Sequence, residues 1–70
     1  MTHITTLHAP GTRVRLRRSI NRSGKHNREG DAGVIDMVDY EECMHPYRFR
    51  RDDDGLWIWV AGCEIERTEL

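Results

Sequence analysis

The 70-residue chain has no apolar run approaching the about 18 residues that a membrane-spanning helix needs. Its opening stretch, MTHITTLHAPG, lacks the basic flank and apolar core of a secretory signal, so a soluble cytoplasmic protein is expected. Cysteine is scarce: Cys43 and Cys63 stand alone and are expected as free thiols. With His26 and His45 they lack the paired C-x-x-C spacing of zinc sites, so no metal is expected. SGKHNREG lacks the glycine, lysine and hydroxyl order of a phosphate-binding loop, and DDDG lacks the alternating oxygen ligands of a calcium loop. Cys43 and His45 have no oxyanion site beside them, and Asp36, Asp39, Glu41 and Glu42 read as a solvated edge rather than as paired catalytic carboxylates. No enzyme, no cofactor and no small-molecule substrate are expected from such a chain.

Charge of one sign is missing overall but not locally. The net charge is −1, yet residues 1–35 carry +5 and residues 36–70 carry −6. A compact domain folds these halves together, so the asymmetry implies patches, or acid–base pairing between strands. Ten of the eleven basic residues are arginine, the side chain suited to flat, bidentate and stacked partners. Arg13, Arg15, Arg17, Arg18, Arg22, Lys25 and Arg28 form the candidate basic ridge.

Short β-branched and aromatic runs separated by turn residues predict an all-β protein without a helix of useful length. TRVRLRRSI, 12–20, reads as one strand with Val14, Leu16 and Ile20 inward and Arg13, Arg15 and Arg17 outward. Residues 21–33 read as a long polar loop without an apolar anchor. GVIDMVDY, 33–40, is apolar on both parities and is expected to bend; YRFRR, LWIWVA and a short strand around Ile65 follow. His3 and His8 are expected in solvent within a flexible segment, residues 1–10, with the domain spanning 11–70. Five short strands at this size favour a twisted barrel, because closure removes exposed edges.

Gly11, Val14 and Leu16, then Gly30, Gly33 and Val34, then Glu64, Ile65 and Glu66, stand in an order that resembles the Src-homology-3-like small β-barrels. That superfamily includes KOW domains, the nitrile hydratase β-subunit type and a photosystem I accessory subunit. The resemblance spans most of residues 11–67 and implies a single five-stranded barrel with a long loop between its first two strands. It implies a fold, not an activity. The proline-peptide groove of signalling modules needs aromatics in the long loop, and residues 21–33 contain none. KOW-like barrels include nucleic-acid and transcription-complex binders, which makes the basic ridge a candidate phosphate contact.

Asp54 and Gly55 form the dipeptide favoured in two-residue hairpin turns. That turn opposes Asp53 with Leu56, Asp52 with Trp57, Arg51 with Ile58, Arg50 with Trp59 and Phe49 with Val60. Opposed residues share a face. One face then holds Tyr47, Phe49, Leu56, Ile58 and Val60, the expected core. The other holds Arg48, Arg50, Asp52, Trp57 and Trp59, where guanidiniums lie over indoles. A three-residue loop shifts the register by one and mixes the two faces, so the even loop is preferred.

Three roles compete for the outward tryptophans: cover by the chain's own termini or long loop, self-association, or a ligand surface. The leading expectation is a small accessory or regulatory module that docks on a protein partner, or on itself, through Arg48, Arg50, Trp57 and Trp59. A phage or plasmid factor that modulates a host protein has this character. The alternative is a nucleic-acid binder that uses the basic ridge, with Trp57 or Trp59 stacking a base. No membrane partner is expected.

Overall fold

The computed structural model describes residues 8–68. They form β1 (Arg13–Leu16), β2 (Ile20–Arg22), β3 (Lys25–Asn27), β4 (Ala32–Val38), β5 (Tyr47–Arg51), β6 (Trp57–Val60), a 3-10 turn at Gly62–Glu64, and β7 (Ile65–Arg67). All pairings are antiparallel. One sheet runs β6-β5-β4-β1-β7, and β2-β3 makes a separate two-stranded sheet. The protein is all-β. By strand pairing the larger sheet is open, with β6 and β7 as its edges, so the edge removal expected from closure is not achieved by backbone hydrogen bonds.

Alternation places the core as the sequence pattern predicts. Val14 and Leu16 from β1, Ile35 from β4, Tyr47 and Phe49 from β5, and Ile58 and Val60 from β6 are all buried. Ile20 and Ile65 complete the cluster from β2 and β7. The sheet coils tightly enough at Gly33 that an added Cβ would lie 2.2 Å from the Arg50 carbonyl oxygen and 2.7 Å from Phe49 Cε1.

Three local expectations need correction. The run 12–20 is not one strand: β1 ends at Leu16, and the chain bends before Ile20 opens β2. The Arg17 N–H donates to the Glu64 carbonyl at 2.8 Å, and Arg18 reaches the Glu64 carboxylate at 2.8 Å. These contacts turn the segment toward the last strand.

Residues 21–33 are not a structureless loop. Ile20 pairs with Asn27 and Arg22 with Lys25, around a two-residue turn in which Ser23 (φ +57°) and Gly24 (φ +74°) are both left-handed. The hairpin is anchored by buried Ile20 and buried Asn27, whose amide donates to the Ile20 and Lys25 carbonyls.

The β5–β6 register also differs. Observed partners are Tyr47 with Val60, Arg48 with Trp59, Phe49 with Ile58 and Arg50 with Trp57. The loop spans four residues, 52–55, closed by Arg51 N–H to the Leu56 carbonyl at 2.9 Å. Gly55 is left-handed and Asp54 is not. Asp54 instead turns its carboxylate back onto the Arg51 guanidinium and the Leu56 N–H, which rules out the tighter turn. A slip of two preserves parity, so both faces keep their strand residues. Leu56, expected in the core, sits beyond the ladder and is 43% exposed. Asp52, expected on the tryptophan face, instead pairs with Arg13 of β1.

Candidate protein-interaction face

The outer face of β4, β5 and β6 is built from two cross-strand rows. Val34, Arg50 and Trp57 form one; Met37, Arg48 and Trp59 form the other. Between them the β4 register shifts at a bulge that contains Asp36. An extra residue at a bulge re-aims its side chain. Here it directs the Asp36 carboxylate onto both arginines, with Arg48 Nε at 2.8 Å and Arg50 Nε at 3.3 Å. The hydrogen bond from Arg48 holds the Asp36 carboxyl below its ordinary range. Arg48 is thereby fixed on the face by two hydrogen bonds, and half-exposed Arg50 is tethered to the same carboxylate by one ion-pair contact.

Trp57 and Trp59 meet edge to face, with ring centroids 6.5 Å apart at 80°. Arg48 lies 4.9 Å from the Trp57 ring centroid, and Lys25 of the hairpin lies 4.1 Å from it. Such stacking cations are worth about 0.5–1 kcal/mol each at exposed sites. Trp57 remains 40% exposed and Met37 44%, while Trp59 is half-buried.

The hairpin borders this face. Leu56, Ile58 and Val60 take the hydrogen-bonding side toward β5, which turns the carbonyls of Trp57 and Trp59 outward at the sheet edge. Lys25 Nζ donates to the Trp57 carbonyl at 2.8 Å, and Arg22 donates to the Trp59 carbonyl at 2.7 Å. The β6 edge is thus capped by side chains.

The basic ridge is largely consumed internally. Arg13 pairs with Asp52 and Arg15 with Glu66. Arg18 and Arg22 both hold Glu64, which is 2% exposed. Burial pushes the Glu64 carboxyl up, but hydrogen bonds from Arg22, the Ala61 N–H and Arg18 outweigh it and bring it down to about 2. Among the described residues, only the side chains of Arg17, Lys25 and Arg28 within the ridge lack a carboxylate partner. The groove beside Arg15 and Arg17 is also lined by Glu29 and Glu66.

A second groove lies at the Trp59 end, lined by Asp39, Glu42, His45 and Trp59. Neither Asp39 nor Glu42 has a cationic partner among the described residues; their carboxylates accept local backbone N–H groups. Sequence reasoning missed Asp36 and Met37 as members of the face. The available signal was the double-parity apolar run of GVIDMVDY, which marks the bulge.

Cys43 and Cys63 are exposed and unbridged. His8, expected in solvent, is instead buried against Tyr47, its ring 5.2 Å away and edge-on. His3 lies outside the described residues. Among the described residues no group of three or more His, Cys, Asp or Glu converges as for a metal, and no helix is long and apolar enough to cross a membrane. Comparison with protein-family models gives no match, and none is found among curated proteins or solved structures.

Proposed function

We propose that this chain is a small binding module that docks on a protein partner through the outer face of β4, β5 and β6. The observation that carries the reading is the exposure of Trp57 and Met37 beside Arg48, fixed by Asp36, and Arg50, tethered to it. A chain this short buries only about 60% of its unfolded surface, so a large aromatic left outside the core needs a role. Tryptophan and arginine are the residues that most often carry interface energy, and a guanidinium already fixed, as that of Arg48 is, loses little entropy on binding. An accessory or regulatory role fits a small module that presents a Trp- and Arg-bearing surface.

The Src-homology-3-like reading of the fold belongs to this proposal. Its support is the hairpin after β1, the β4-β5-β6 meander, and the short last strand that returns beside β1. The nucleic-acid alternative has less support, since Arg13, Arg15, Arg18 and Arg22 are held by Asp52, Glu66 and Glu64.

The test is capture of partners from the native host by the wild type and by Trp57→Ala. Loss of a specific partner with the variant still folded supports the reading. Equal capture by both proteins overturns it.

A further inference from the structure

The two ends of the tryptophan pair carry opposite charge. At the Trp57 end stand Lys25, which has no carboxylate partner among the described residues, and half-exposed Arg50, which makes one contact at 3.3 Å. At the Trp59 end stand Asp39 and Glu42, without cationic partners among the described residues. An apolar centre with a basic pole and an acidic pole is complementary to itself when rotated by half a turn.

We propose that this face takes a second copy of the chain, docked about a twofold axis passing between Trp57 and Trp59. The rotation lays Trp57 of one protomer against Trp59 of its partner. It also brings each Lys25 and Arg50 pole onto the opposing Asp39 and Glu42 groove. Each contact occurs twice, so a modest charge pair counts double. The association is face to face rather than by strand addition, because Lys25 and Arg22 already occupy the outward Trp57 and Trp59 carbonyls. The inference rests on the protein-binding reading and names its occupant.

Sedimentation velocity from micromolar to submillimolar concentration tests it. The wild type is expected to pass from monomer to dimer, with the midpoint moving to higher concentration as salt is added. Glu42→Lys cancels the charge of the acidic pole, where Asp39 remains, and Lys25→Glu cancels that of the basic pole, where Arg50 remains. Each alone is expected to weaken the dimer at least tenfold, and an equimolar mixture to recover it as a heterodimer. Glu42 lies on an exposed loop, so Glu42→Lys stays informative if Lys25→Glu disturbs the hairpin.

A wild type that stays monomeric throughout overturns the twofold dimer. So does Glu42→Lys that dimerises as tightly as the wild type. A monomeric wild type that still loses a foreign partner on Trp57→Ala leaves the protein-binding reading standing and removes only this inference.

Discussion

Arg22 of β2 and Glu64 of the 3-10 turn form a two-bond ion pair, at 3.1 and 3.0 Å, although they stand 42 positions apart in sequence. The same guanidinium caps the Trp59 carbonyl. One side chain therefore ties the hairpin both to the end of the domain and to the edge of the candidate face.

This pair contributes to the acid sensitivity, beside the Asp36 and Asp54 carboxylates that Arg48 and Arg51 also hold low. Glu64 titrates near 2 when folded, below its ordinary 4.5. Its contribution is present in full above the unfolded value and is lost as pH falls from about 4.5 toward 2. The loss is on the order of 3 kcal/mol. Denaturant titrations at pH 7 and pH 3 should show a steep decline for the wild type and a much flatter one for Glu64→Gln. His8 adds an earlier step of the same sign. Burial, and then the Arg67 charge, hold its pKa below 6.5, so its contribution is present above that value and fades as pH falls below it.

Glycine positions separate close approach from open space. Gly33→Ala should destabilise by at least about 2 kcal/mol, because the new Cβ meets a backbone carbonyl that cannot move without opening β4 from β5. Gly62→Ala brings a Cβ to an ordinary 3.5 Å from Tyr47 and should change stability by less than about 0.5 kcal/mol. Thermal or urea unfolding of the two variants checks both values.

Neighbours on β6 should behave oppositely. Ile58→Ala empties a core position and should cost about 2–4 kcal/mol. Trp57→Ala removes a half-open ring and the Lys25 stacking, and should cost about 1 kcal/mol while leaving the fold intact. A larger cost for Trp57→Ala than for Ile58→Ala would place the tryptophan face in the core.

Salt dependence bounds any nucleic-acid contact. With Arg17, Lys25 and Arg28 as the ridge cations without a carboxylate partner among the described residues, the slope of log affinity against log salt should be no steeper than about −3. A slope near −6 would mean that the ion pairs of Arg13, Arg15, Arg18 and Arg22 break on binding and that the ridge acts as one surface.

The strands that became β4, β5 and β6 were legible because alternation marks a half-buried sheet whatever its partners. Parity survived the misplaced turn for the same reason: a slip of two residues exchanges neighbours without exchanging faces. The turn itself was misread because Asp54 is held by Arg51 three residues back, a side-chain contact that the dipeptide does not reveal. The β2–β3 hairpin was missed because its inner anchor is Asn27, a polar residue that breaks the apolar pattern and is buried only because Ile20 and Lys25 supply carbonyls. The ion pairs that absorb the arginine ridge join residues 39 to 51 positions apart, a separation that composition does not resolve.

The most direct test of the central claim is to follow the Trp57 and Trp59 indole N–H signals by heteronuclear NMR as a protein partner is added, a second copy included. Both indoles are expected to shift, together with the backbone signals of Met37 and Arg48, while Arg15 and Arg17 stay in place. Shifts confined to β1 and the β2–β3 hairpin, with both indoles unmoved, would contradict the claim.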